Sequence, residues 1–167
     1  PFEPIQLSLI GALTVGFPSF VLALQPNKNI VRGNFTFNII TRAAPASICI
    51  ALNIILITLL SKSLGISQSE ISTMALYTTS LIGLMLIFRL CIPFNALRGA
   101  MLAISTAGLV VAMYIFGDFF KLVPLTYNAL ILQIVTAVGM VILFNVLYSI
   151  ADKQIEKRKL QPHKATV

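Results

Sequence analysis

The stretch LTYNALILQIVTAVGMVILFNVLYSI, residues 125–150, contains no charged side chain and is apolar at most of its positions. A helix needs about 20 mostly apolar residues to cross the hydrocarbon core of a bilayer. The strands of a membrane barrel are shorter and alternate apolar with polar side chains, a pattern that this stretch does not follow. The stretch therefore predicts a membrane-spanning helix.

Four more apolar runs precede this one and are long enough to span a bilayer: 4–24, 39–60, 71–90 and 99–116. Apolar residues make up 57% of the chain and charged residues 10%, whereas about a quarter of the residues of a soluble domain are charged. We predict an all-α, polytopic membrane bundle of about five transmembrane helices over residues 1–151. Residues 152–167 then form a basic cytoplasmic tail.

The basic residues between and after these runs predict the orientation of the bundle. If the first helix runs from outside to inside, ten basic residues are cytoplasmic and two, Lys62 and Lys121, are external. Such an excess places the N-terminus outside and the C-terminus in the cytoplasm, as in a multi-pass protein of the cell membrane. The ten are Lys28, Arg32, Arg42, Arg89, Arg98, Lys153, Lys157, Arg158, Lys159 and Lys164.

Two other classes of function find little support in the residues. The net charge of +7 does not come with basic–aromatic interleaving, and the chain has no Trp, so we expect no nucleic-acid partner. Cys49 and Cys91 lie far apart in or beside apolar runs and are expected to be small buried side chains. No nucleophile–base pair or metal-binding spacing occurs, so we predict no catalytic residue in this chain.

The polar residues in the middle of the runs are uncharged. Intramembrane Ser and Thr commonly hydrogen-bond to a carbonyl of their own helix, which is the expectation here. Asn53 and Gln133 are costlier in lipid, and we predict that each makes a hydrogen bond to another helix. Ser67 and Glu70 have the spacing of a capping box and predict the start of the third helix.

The first run is unusual because it carries Gly11, Gly16 and Pro18. Pro18 has no amide hydrogen, and its ring opposes the carbonyl of Thr14, four residues earlier. We predict a kink or an unwound turn centred on Thr14 to Pro18. A kink of this kind serves packing alone, or it frees carbonyls toward a substrate pathway, as in transporters with broken helices; the residues leave both interpretations open.

Residues 3–26 resemble the sixth membrane helix of P-type ATPases. In the calcium and sodium pumps this helix reads Pro-x-Gln-Leu, then Asn-x-x-Thr-Asp-Gly-x-Pro, then Leu-x-x-x-Pro. The positions that match without a gap are Pro4, Gln6, Leu7, Thr14, Gly16, Pro18, Leu22 and Pro26. The resemblance implies that this chain is the C-terminal membrane domain, the last five helices, of a cation-transporting ATPase, most like the bacterial E-type branch.

The resemblance also assigns roles to residues. It implies a substrate pathway along Gly11, Thr14, Val15, Gly16 and Pro18, with Thr14 as a metal ligand. The family's Asn falls at Gly11 and its cation-binding Asp at Val15, so only Thr14 keeps an oxygen-bearing side chain there.

The basic segment 27–35 resembles a short cytoplasmic loop that touches the phosphorylation domain. The resemblance therefore implies a docking role for Asn27, Lys28 and Arg32.

For the whole protein, the resemblance implies an ion translocase that uses ATP and magnesium and carries a cation, possible ions including calcium. Its partners would be the lipid bilayer, the remaining helices and the cytoplasmic domains of the same polypeptide. The membrane would be a bacterial plasma membrane. No cofactor is expected in this chain, which begins at Pro1 and has no phosphorylation motif or nucleotide-binding loop; we expect it to be a piece of a longer polypeptide. The alternative is a self-contained small membrane protein that acts as a scaffold or subunit.

Overall fold

The computed structural model describes residues 3–24 and 35–160, and every regular element in those ranges is helical. The elements are α1 (Pro4–Ile10), a π-helix (Gly11–Gly16), α2 (Phe17–Leu24), α3 (Phe35–Leu64), α4 (Gln68–Leu90), α5 (Ala96–Ile115) and α6 (Tyr127–Leu160). We call the π-helix the π segment. Together with α1 and α2 it forms one continuous first span, Pro4–Leu24.

Five described helices are long and apolar enough to cross a membrane, which confirms the all-α prediction: Pro4–Leu24, Ile39–Leu64, Gln68–Leu90, Ala96–Ile115 and Tyr127–Glu156. Large apolar side chains such as Phe20, Leu59 and Val135 are more than 60% exposed on the outside of the bundle. Exposed apolar patches of this extent are rare on soluble monomers, and they are favourable where lipid surrounds the protein. The chain is a multi-pass membrane protein.

Local signals explain where the helices begin and end. Ser67 Oγ accepts a hydrogen bond from the Glu70 amide at 3.3 Å, and a Glu70 carboxylate oxygen accepts one from the Ser67 amide at 2.9 Å. This capping box confirms the prediction and starts α4 at Gln68. α3 ends before Gly65, whose φ of +65° suits glycine, and the Ile66 amide closes the turn on the Ser61 carbonyl at 3.1 Å.

The last helix extends beyond the apolar run. α6 begins at Tyr127 and continues to Leu160, so the first part of the segment predicted as a tail is helical. Lys153, Gln154 and Glu156 are good helix formers, and they lengthen a helix that packing has already nucleated.

Helices α3, α4 and α6 enclose one half of the core in two layers. The layer nearer the start of α4 consists of Ile57, Ile71, Met74, Ala129 and Leu132. The layer nearer its end consists of Ala46, Cys49, Ile82, Met140, Phe144 and Tyr148. Each layer takes side chains from all three helices, so we call α3, α4 and α6 the three-helix core.

The first span and α5 cover the opposite side of α4. Leu9 and Ile10 of α1 pack with Leu76 and Leu109. Further along, Phe17 and other residues of α2 pack against a cluster of Ile87, Cys91 and Met101. α4 thus has neighbours on both sides and is the central helix of the bundle.

Two polar contacts tie the chain together at the end where α4 begins. Gln6 is fully buried; its amide nitrogen donates to the Phe120 carbonyl at 3.1 Å, and its oxygen accepts from Ser72 Oγ at 2.7 Å. The Glu70 carboxylate accepts hydrogen bonds from the amide (2.7 Å) and the hydroxyl of Thr126. These contacts set the depth of α1 and of the start of α6 relative to α4.

The first span departs from helical geometry, but not by unwinding. Residues 11–16 form a π-helix and the backbone continues into α2 without a break. The prediction was a kink or an unwound turn centred on Thr14 to Pro18. The backbone does not unwind, and its departure from α-helical geometry lies slightly earlier, over Gly11–Gly16. A wider turn lets the chain pass Pro18 while most carbonyls keep an amide donor, which a membrane interior demands.

Candidate functional site

The π segment arises from Pro18. The amide of Phe17 bonds to the carbonyl of Ala12, five residues back, which is the π-helical spacing. In that register the next donor would be Pro18, toward the carbonyl of Leu13, and proline has no amide hydrogen. The carbonyl of Leu13 is therefore left without its π-helical donor near the middle of the span.

Thr14 lies at the centre of this segment and is half-buried. Its hydroxyl donates to the Ile10 carbonyl at 2.7 Å. A hydroxyl that donates its hydrogen in this way keeps its oxygen lone pairs, and these can accept a hydrogen bond or coordinate a cation. Thr14 is thus the one side chain of the π segment with an oxygen to offer.

The position of Thr14 depends on a close approach to α4. A Cβ built on Gly83 would lie 3.0 Å from Thr14 Cγ2 and 3.1 Å from Thr14 Cβ. A second glycine, Gly108 of α5, makes room for Leu13, whose Cδ2 would be 3.2 Å from a Cβ there. Glycine at these two positions lets the π segment lie against both α4 and α5.

One face of the π segment has no cover within the described chain. Val15 is 61% exposed, and Gly16 beside it is also exposed. Gly11 faces open space, because a Cβ there would have no atom within 4 Å. Val15 and Gly11 are the two positions where the resemblance expects Asp and Asn, and both are apolar.

The predicted pathway residues thus lie on one segment, with different surroundings. The methyl group of Thr14 lies against α4, Val15 and Gly16 are exposed, and Pro18 is buried. In the described ranges, no three His, Cys, Asp or Glu side chains group as metal ligands would. The predicted docking residues Asn27, Lys28 and Arg32 lie outside the described residues.

A cavity of about 330 Å³ lies between α4, α5 and α6, away from the π segment. Its walls are mostly apolar, and its polar groups are Arg89, Thr106 and Asn145. Arg89 donates to the Asn145 amide oxygen at 2.6 Å and lies 5.3 Å from the centre of the Tyr148 ring. A guanidinium repels cations, so this cavity is a poor candidate for a cation site.

Sequence reasoning missed the partners of Gln6 and of Arg89. The sequence analysis used Gln6 only as one position of the family motif. A side-chain amide within an apolar run is nevertheless a signal, because burying it without hydrogen-bond partners costs free energy. The predicted hydrogen bonds of Asn53 and Gln133 to another helix were confirmed for one of the two. Gln133 donates to Thr78 Oγ1 at 3.0 Å, as predicted, whereas Asn53 has no hydrogen-bond partner among the described residues.

The sequence is similar to three curated bacterial proteins over about two thirds of its length. It is 34% identical over 108 residues, 65% of this chain, to a "Probable cation-transporting ATPase exp7" of Streptococcus pneumoniae serotype 4. It is 26% identical over 109 residues (63% of the chain) to "Calcium-transporting ATPase CtpE" of Mycolicibacterium smegmatis. The protein of that name in Mycobacterium bovis is 28% identical over 116 residues (66%).

The match spans 14% of the length of each of these relatives. No family model matches the chain. No solved structure matches it either. The resemblance seen in the first span is confirmed at the level of cation-transporting ATPases.

Proposed function

We propose that this chain is a membrane portion of a P-type cation-transporting ATPase: it forms the last five helices of an ATP-driven pump, and its first span is one wall of the cation pathway. The π segment carries this proposal. It presents the hydroxyl of Thr14 and the freed carbonyl of Leu13 near the middle of a span, beside a face that the described chain leaves open.

The open face indicates what completes the site. Leu7, Val15 and Phe20 are each more than half exposed along the first span. In the proposed pump, helices that precede this chain in the same polypeptide cover them. The pathway then runs between those helices and the π segment. α4 supports the segment through the methyl group of Thr14, and α5 supports it through Leu13.

The proposed energy source lies in the rest of the protein. ATP, with magnesium, phosphorylates a cytoplasmic Asp, and the phosphorylation cycle alternates access to the pathway. Asn27, Lys28 and Arg32 dock the membrane part against the phosphorylation domain, and their basic character suits an acidic surface there. The resemblance supports this part of the proposal.

The residues of the π segment bear on the cation. Calcium takes six to eight oxygen ligands, with carboxylates prominent among them. The π segment offers neutral oxygens only, since Val15 stands where a carboxylate would be expected. We therefore propose that preceding helices supply the charged ligands. Calcium is the proposed cation because two of the relatives carry that ion in their names, and a bacterial plasma membrane is the proposed location.

A matched pair of substitutions in the full-length protein tests the role of Thr14. Thr14 and Thr106 make the same hydrogen bond to the carbonyl four residues earlier, at 2.7 and 2.8 Å, but Thr106 lies on an exposed face of α5. Valine removes either hydroxyl and keeps the side-chain shape. Thr14→Val should weaken the apparent calcium affinity of ATP hydrolysis about tenfold, equivalent to about 1.4 kcal/mol for one lost ligand.

Thr106→Val should leave that affinity unchanged, because its hydroxyl faces away from the pathway. Equal effects of the two substitutions would remove Thr14 from the site. A Thr14→Ser variant keeps the oxygen and should retain most of the affinity.

A further inference from the structure

The buried polar atoms of the described chain that lack a hydrogen-bond partner lie on four helices, and half of them belong to two amide side chains, Asn53 and Gln133. Six such side-chain atoms occur: both polar atoms of Asn53, the hydroxyls of Thr79, Ser80 and Ser105, and the amide oxygen of Gln133. Buried polar groups in folded proteins almost always have a partner, either protein or ordered water. The three unpartnered amide atoms of Asn53 and Gln133, on the neighbouring helices α3 and α6, therefore need an explanation.

These side chains lie at one depth of the bundle. Asn53, Ser80 and Ser105 are each about ten to twelve residues from the helix end on the side where α4 begins, roughly 15–18 Å at 1.5 Å per residue. That is about half of the hydrocarbon thickness of roughly 30 Å. The bond from Gln133 to Thr78, the residue before Thr79, brings α6 to the same depth.

The packing layers put Asn53 and Gln133 at the same level of the three-helix core. On α3, Asn53 is one helical turn from Ile57, in the layer near the start of α4, and one turn from Cys49, in the other layer. Thr78 stands between Met74 and Ile82 of the same two layers on α4. Between two apolar layers, the three-helix core therefore contains a polar layer, which consists of Asn53, Thr78, Gln133 and Thr136.

The chemistry of this layer selects its occupant. The Asn53 amide offers two hydrogens and an acceptor oxygen, and the Gln133 oxygen is a second acceptor. A cation would bind only to the acceptor oxygens and would leave the two amide hydrogens of Asn53 without a partner. No carboxylate of the described chain reaches this depth, since Glu70 is bound at the start of α4. Water donates and accepts, and it satisfies both kinds of group.

We propose that the interface of α3, α4 and α6 is a water-binding site at mid-membrane, where one or more buried water molecules bridge Asn53 to Gln133. This site lies on the far side of α4 from the π segment and is independent of the transport function proposed above. Its role is to satisfy the amides, and so to hold the three helices in one rotational register.

Radiolytic labelling of the full-length protein in nanodiscs tests the proposal. Hydroxyl radicals made from a trapped water oxidise side chains within a few ångströms, and methionine is among the most readily oxidised. Met74 and Met140, 0% and 5% exposed, lie one turn from Thr78 and Thr136 and are the reporters. Met101, also buried, packs with Ile87 and Cys91 away from Asn53 and is the internal reference.

The comparison is between the wild-type protein and an Asn53→Leu/Gln133→Leu variant, in which a layer without amides should be dry. We expect oxidation of Met74 and Met140 to fall several-fold in the variant while Met101 is unchanged. Equal rates in the two proteins would overturn the proposal. Wild-type labelling that changes when sodium in the buffer is replaced by choline would also overturn it, in favour of a cation.

Thermal unfolding of the single variant Asn53→Leu gives a second measurement, which does not require the double variant to fold. If water bridges the amides, the single substitution strands the water and Gln133, and the midpoint falls. If the layer is dry, removing the orphaned amide raises the midpoint, and the proposal fails.

Discussion

The first span and the three-helix core belong to one bundle but differ in how completely they are covered. In the central helix α4, 61% of an apolar stretch of 18 residues is buried within the described chain; in the first span the corresponding share is 17%. The core residues of α3, α4 and α6 have neighbours from all three helices, whereas Val15 and Gly16 have none on one side. The core is complete in itself, and the first span is one side of an interface.

The two regions also use polar groups differently. At the start of α4, Glu70 accepts hydrogen bonds from Ser67 and Thr126 and joins two helices. In the π segment, the Thr14 hydroxyl donates to its own helix, and the carbonyl of Leu13 has no π-helical donor because Pro18 lacks an amide hydrogen. A polar group that is hydrogen-bonded to another helix stabilises the fold, whereas one without such a bond can bind a ligand.

The largest expected effect on stability lies in the core. Glu70→Ala removes the acceptor for the Ser67 and Thr126 amides, which lie 2.9 and 2.7 Å from the carboxylate, and for both hydroxyls. Losing these charge-assisted hydrogen bonds should lower the free energy of unfolding by about 2 kcal/mol, because Ser67 and Thr126 are exposed and water can take over part of the bonding. Reversible unfolding in mixed micelles, followed by circular dichroism, measures it.

Ser69→Ala is the matched control, because Ser69 contacts Ser67 Oγ at 3.1 Å but does not join two helices. It should change the stability by less than about 0.5 kcal/mol. A Glu70→Ala effect as small as that of the control would mean that the three-helix core does not depend on the hydrogen bonds of Glu70. Polar contacts would then not distinguish the core from the first span.

An intermediate effect is expected where the two regions meet. Gly83→Ala places a methyl group 3.0 Å from Thr14 Cγ2, so the π segment has to shift, at a cost of about 1 kcal/mol. Gly139→Ala is the control, because a Cβ there meets nothing within 4 Å. It should be neutral, or stabilising by about 0.5 kcal/mol, because alanine favours a helix over glycine.

The same pair separates stability from function. We expect Gly83→Ala to impair calcium-stimulated ATP hydrolysis, because it displaces Thr14, and Gly139→Ala to leave it intact. Adding Thr14→Ser removes Cγ2 and should restore part of the stability lost in Gly83→Ala. Without any such recovery, the clash would have to lie elsewhere.

The smallest effect is expected at the surface. Lys121 Nζ lies 3.1 Å from a carboxylate oxygen of Glu3, and their side chains are 67% and 43% exposed. Exposed ion pairs contribute about 0–1 kcal/mol, so Lys121→Ala should lower the free energy of unfolding by no more than about 0.5 kcal/mol. A loss that is larger, and that persists in high salt, would show that this pair anchors the first span to the loop before α6.

The features predicted from the sequence are those set by nearby residues. The apolar runs predicted five spans, Ser67 and Glu70 predicted the start of α4, and Thr14, Thr58 and Thr106 bond to their own helices as expected. Pro18 marked the position of the irregular turn, since a proline acts on the carbonyls just before it.

What could not be predicted depends on residues far apart in the chain. Gln6 bonds to Ser72 and Phe120, and nothing near Gln6 identifies them. The π segment lies close to α4 and α5 at Gly83 and Gly108, and nothing near the segment in the sequence identifies these two glycines. Asn53 was expected to bond to another helix, but the packing of α3 leaves its amide without a protein partner in the described ranges.

The π segment also changes the direction in which the first span points. One additional residue in a turn rotates every later side chain by about 100° about the helix axis. The half before the insertion packs chiefly on α4, the half after it packs on α5, and the segment itself touches both. A regular α-helix would pack the same face against one neighbour along its whole length. Because the π segment rotates that face, the first span can pack against both α4 and α5.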